Sequence, residues 1–62
     1  MFVVFRLVAD RFRKVDHLGF AELDQWMAEQ YAAGVESVKV TDENSGQTIV
    51  YRRDEGQLWI PV

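Results

Sequence analysis

The sequence predicts an α+β domain: one amphipathic helix packed on one face of an antiparallel sheet of about four strands, in the order β-α-β-β-β. Three observations carry this expectation. Residues 20–33 read FAELDQWMAEQYAA, with no Gly, no Pro and no β-branched residue, so the stretch favours helix throughout. Short runs rich in Val, Ile, Thr and aromatic residues lie on either side of it, separated by turn formers. The chain of 62 residues suits one small domain and is too short for two.

Residues 3–9 are apolar apart from Arg6 and predict the first strand. Arg6 sets the expected faces, with Val3, Phe5, Leu7 and Ala9 inward and Phe2, Val4, Arg6 and Val8 outward. Residues 10–18 mix charges with isolated apolar positions and read as a connection. In the helix, Phe20, Leu23, Met27 and Tyr31 recur at spacings of three, four and four and form one stripe. Gly19 is a permissive N-cap, and Gly34 is the expected stop. Glu22 and Asp24 put negative charge in the first turns, where the helix dipole favours it.

A strand starting at Val35 places Val38 and Val40 on one face and Ser37, Lys39 and Thr41 on the other. Residues 42–46 (DENSG) predict a hairpin turn, and residues 47–53 (QTIVYRR) a third strand. In that strand Ile49 and Tyr51 compete with Val50 for the core side. Residues 53–56 form a second tight turn, with Gly56 suited to a positive φ. In the last strand Leu58 and Ile60 are expected inward and Trp59 outward, and Pro61, which lacks an amide donor, suits an edge. One face of this meander is left for solvent, a partner or a second copy of the chain.

Composition narrows the function classes. There is no cysteine, which removes disulfides and thiolate metal sites and fits a cytoplasmic location. The apolar start MFVVFRLVAD lacks a basic leader and is interrupted by Arg6, so no signal peptide is expected. No apolar run is long enough to span a bilayer. His17 is the only histidine, and Ser37 and Ser45 are the only serines, with no G-x-S-x-G turn. A catalytic triad and a zinc site therefore lack parts. The carboxylate pairs Asp42-Glu43 and Asp54-Glu55 fall in predicted turns, where neighbours do not face each other across a cleft. Each glycine stands alone, so no phosphate loop is present. The reading is a non-enzyme without metal or cofactor.

Charge is distributed unevenly, with +2 over residues 1–19, −5 over residues 20–46 and balance over residues 47–62. Two surfaces follow as partner-binding candidates. On the helix, Trp26 lies about 100° round from the stripe's centre, beside an acidic ridge of Glu22 and Glu29, and suits either the rim of the core or an anchor for a basic protein surface. On the open sheet face, Arg6, Lys39 and Arg52 are expected beside Val4, Val8 and Trp59. Cations interleaved with an aromatic resemble a platform for single-stranded nucleic acid, although the acidic net charge disfavours phosphate. A homodimer seam would bury the same apolar residues. The segment Arg11-Phe12-Arg13-Lys14 adds a small basic patch with one aromatic.

The C-terminal run Ile49-Val50-Tyr51-Arg52-Arg53-Asp54-Glu55-Gly56-Gln57-Leu58-Trp59 is similar to the last hairpin of type I anti-CRISPR proteins, with its apolar–Tyr–basic–acidic–acidic–Gly run closing on a tryptophan. Residue similarity covers about a dozen positions, and the order strand, helix, hairpin-rich half matches over most of the chain. The resemblance implies a phage- or mobile-element-encoded protein that blocks a host protein or ribonucleoprotein complex by occlusion. No binding residue carries over from it, because the acidic middle of the chain departs from the pattern. The leading expectation is thus a protein-binding inhibitor of a CRISPR-type or other nucleic-acid-handling complex. A homo-oligomeric accessory protein and a small single-stranded nucleic-acid binder are the alternatives.

Overall fold

The computed structural model describes residues 1–56 and 58–62. Its elements are β1 (Phe2–Val8), β2 (Arg11–Leu18), α1 (Phe20–Ala32), β3 (Ser37–Asp42), β4 (Thr48–Arg53) and β5 (Trp59–Pro61). All pairings are antiparallel, in the order β2-β1-β3-β4-β5, and α1 packs on one face. The α+β class with one helix on an antiparallel sheet agrees with the sequence reading, but the sheet has five strands rather than about four. Gln57, within the run that carries the anti-CRISPR resemblance, lies outside the described residues.

The additional strand is β2, where the sequence predicts a connection. It pairs with β1 through a two-residue turn at Ala9 (φ 51) and Asp10 (φ 67). Positive φ at both central residues is what a hairpin turn of type I′ needs to match strand twist. Neither residue is the Gly or Asn that announces such a turn, so the hairpin has no local signal. Farther along, Val4 pairs with Asp16 and Phe5 with Lys14, leaving Val15 as the extra residue of a β-bulge. The bulge breaks the alternation that would otherwise mark residues 11–18 as a strand.

The helix begins at the extended Gly19, without a side-chain cap, and ends in a Schellman motif. There the amide of Val35 donates to Gln30 O at 3.1 Å and that of Gly34 to Tyr31 O at 3.1 Å, with Gly34 at φ 83. The buried stripe is rotated from the expected one. Trp26 and Gln30 are buried, Leu23 and Met27 half-buried, and Phe20 is 79% exposed. Trp26 therefore sits at the centre of the interface rather than on its flank.

Strand faces need a second correction. Val4, Leu18, Trp26, Val38 and Val40 form the buried cluster, with Phe2, Tyr51 and Trp59 packed against it. Val4 faces the helix, and Val3, Phe5 and Leu7 face away, the reverse of the expectation. Alternation fixes which residues share a face but not which face is covered, and both faces of β1 are apolar. Arg6 is on the helix side yet exposed, opposite Val38 and Arg13. On β4 the ambiguity resolves, with Ile49 opposite Val40, Tyr51 opposite Val38, and Val50 opposite Lys39 on the open face. On β5, Trp59 points to the helix and Ile60 away, while Leu58 is exposed. No described helix is long and apolar enough to cross a membrane.

Candidate binding face

The face of the sheet opposite α1 carries no second layer among the described residues. Cross-strand pairing fixes its occupants, because partners in register share a side. One row runs Lys14 (β2), Phe5 (β1), Lys39 (β3) and Val50 (β4). On one side lies a row of His17, Val3, Thr41 and Thr48. On the other, Phe12 pairs with Leu7, and Ser37 with Arg52, which in turn pairs with Ile60. Val3, Phe5, Leu7, Phe12, Val50 and Ile60 are all half-buried by one another.

The cations are placed within this apolar surface. Lys39 holds its ammonium 4.3 Å from the Phe5 ring centroid and 5.2 Å from that of Phe12. Lys14 is exposed in the same row and Arg52 is exposed beyond it. None of the described strand positions on this face is Asp or Glu: Asp16 pairs with Val4 and Asp42 with Phe2, which places both on the helix side. The described negative charge lies on α1, in the turns and loops, and at Asp16 and Asp42 on the helix side of the sheet. The face is thus apolar, aromatic and cationic in a chain whose net charge is −3.

The candidates of the sequence reading divide accordingly. Lys39 and Arg52 lie on the open face, as expected. Arg6 and Trp59 do not: Arg6 turns to the helix side, and Trp59 packs edge-on against Tyr31 at 5.5 Å between centroids. Its indole Nε1 donates to Met27 O at 2.9 Å. Glu22 and Glu29 are exposed on α1, but Trp26 between them is buried, so the ridge has no aromatic anchor. Sequence alone does not place Phe5, Phe12 and Lys14 on this face, because its membership depends on the β1–β2 register. The aromatic in Arg11-Phe12-Arg13-Lys14 was the available signal.

At one end of the sheet, Tyr31, Glu36, Arg52, Arg53, Asp54 and Glu55 line an open depression of about 630 Å³. Arg53 is engaged there, donating to Tyr31 O at 3.0 Å while lying over the Tyr31 ring at 4.2 Å. Its charge sits at the helix C-terminus, where the dipole favours a cation. The Tyr31 hydroxyl donates to Asp54 O. Gln30 Oε1 is buried without a hydrogen-bond partner.

The chemistry-bearing side chains are each committed elsewhere. His17 bonds to Glu43, the Ser37 hydroxyl donates to Tyr51 O at 2.5 Å, and Ser45 Oγ accepts from the Gln47 amide at 3.2 Å. Among the described residues no three His, Asp or Glu side chains gather as a metal site would require. No family model, no curated protein and no solved structure matches the chain.

Proposed function

We propose that this is a non-enzymatic binding protein that acts by occupying a surface of a nucleic-acid-handling assembly, with the open sheet face as its contact surface. One observation carries the reading: half-buried apolar side chains are interleaved with Lys14, Lys39 and Arg52 on a face with no carboxylate at its described strand positions. Contiguous apolar surface left in water favours a partner, and a single sign of charge selects an anionic one. The C-terminal hairpin's similarity to type I anti-CRISPR proteins adds a host CRISPR-type complex as the assembly to be blocked, and a phage or mobile element as the source. Occlusion needs only a rigid surface, and a five-stranded sheet braced by a helix supplies one.

Site-specific photo-crosslinking in host lysate tests this reading. A photoreactive residue at Thr48, exposed on the open face, should form adducts, whereas one at Asp24, exposed on the helix, should not. Adducts from Asp24 with none from Thr48 would reject the open face as the contact surface.

A further inference from the structure

We infer that the open face binds single-stranded nucleic acid, with Phe5 and Phe12 meeting bases and Lys14, Lys39 and Arg52 meeting phosphates. The inference rests on the reading of this face as the contact surface and names what it contacts.

A nucleotide unit joins an anion to a planar π-system a short distance away. The face repeats that pairing in complement, because the Lys39 ammonium is held within 5.2 Å of two ring centroids. A phosphate drawn to Lys39 lifts its ammonium off the rings and brings a base to Phe5 or Phe12 in its place, where stacking adds affinity without regard to base identity. Lys14 and Lys39 flank Phe5 in one row, two strand spacings or about 10 Å apart, so a strand laid across the sheet meets a cation on either side of the ring. Arg52 extends the positive track over β4.

Two other occupants fit less well. A second copy docked face to face would bring Lys14, Lys39 and Arg52 against cations of the same face, removed from water and unpaired. A duplex presents phosphates but keeps its bases stacked inside, out of reach of aromatic side chains on a sheet. The net charge of −3 is no barrier, since the described strand carboxylates, Asp16 and Asp42, lie on the opposite side of the sheet and the others on the helix, turns and loops, and interactions beyond about 10 Å are screened at ordinary salt.

Fluorescence anisotropy with short labelled oligo-dT and oligo-U, and with a labelled duplex of equal length, tests the inference on the intact chain. Either single strand should bind, and the duplex at least about tenfold more weakly, given the loss of stacking. Affinity should fall about 20-fold between about 50 and 200 mM salt, as release of three phosphate counterions predicts. Lys14→Glu and Arg52→Glu should each weaken binding at least about fivefold. Phe12→Ala should weaken it about tenfold with the circular dichroism spectrum unchanged. Arg11→Glu makes the same charge change on the helix side and should alter affinity less than about twofold. If Arg11→Glu weakened binding as much as Arg52→Glu, or the duplex bound as tightly as the single strands, bulk charge would be responsible and the inference would fall. If no oligonucleotide bound while Thr48 still crosslinked to protein, the inference would fall and the proposed function would stand. Absence of any Thr48 adduct would remove the proposed function itself.

Discussion

The indole N–H of Trp59 donates to the carbonyl of Met27 at 2.9 Å, tying the last strand to the middle of α1. The same ring meets Tyr31 edge-on, and Tyr31 in turn donates to Asp54 O and lies under Arg53. The β4–β5 hairpin is thus bound to the helix C-terminal half by both packing and hydrogen bonds. Trp59→Phe removes the donor but keeps most of the ring. It should destabilise by about 0.5–1.5 kcal/mol in urea unfolding. Trp59→Ala should lose about 3–5 kcal/mol. Equal losses from the two variants would show that the hydrogen bond, not the packing, sets the energy.

Trp26 is 7% exposed and joins Val4, Val38, Val40 and Leu18 in the buried cluster. Truncation to Ala should remove about 3–5 kcal/mol. A chain of this length has roughly 3–9 kcal/mol in all. Trp26→Ala should therefore lose about half or more of its stability, read as a lowered midpoint of urea unfolding at 25 °C. A loss below about 1 kcal/mol would be incompatible with a buried core position.

Gly34 ends the helix at φ 83, and a Cβ added there would meet Arg53 Nη1 at 3.7 Å, an ordinary contact. Space is available, so the penalty for Gly34→Ala is the left-handed backbone alone, about 1–2 kcal/mol. Gly34→Asn should lose less, because Asn tolerates that region better. Thermal denaturation of the pair would separate backbone strain from crowding: if Asn were the worse of the two, crowding would be the cause.

Ala9 and Asp10 both hold positive φ without being glycine. Replacing them by Asn-Gly, the pair best suited to this turn, should stabilise the β1–β2 hairpin by about 1 kcal/mol. The midpoint of denaturation should rise with an unchanged slope. A fall would mean that the turn departs from type I′ geometry.

Light scattering over a dilution series addresses self-association. Like charges at Lys14, Lys39 and Arg52 oppose face-to-face pairing, and screening is weakest at low salt. The expected mass at low micromolar concentration and low salt is that of the 7.2 kDa chain. A dimer that dissociated on Val50→Arg, which adds like charge to the open face, would instead assign that face to a homodimer.

The sequence by itself determined the helix, its stop at Gly34, the two C-terminal hairpins and the α+β class, because these rest on local signals: helix-forming residues, a glycine in the left-handed region, and turn formers at residues 42–46 and 53–56, although Gly56 does not take the positive φ expected of it. It also determined that Lys39 shares a face with Ser37 and Thr41, since alternation is a local property. Three things were decided only by tertiary structure. Residues 11–18 became a strand because pairing with β1 satisfies their backbone, despite a bulge at Val15 and a turn without glycine. Val4 rather than Phe5 went into the core because the helix lies over that side of a strand apolar on both. Trp26 and Trp59 turned inward because two large rings bury more apolar area against the sheet than Phe20 and Leu58 would, and Trp59 gains an acceptor at Met27 for its N–H. The candidate binding face is what remains on the other side of those choices, and for that reason a one-dimensional reading could place Lys39 and Arg52 there but not Phe5, Phe12 or Lys14.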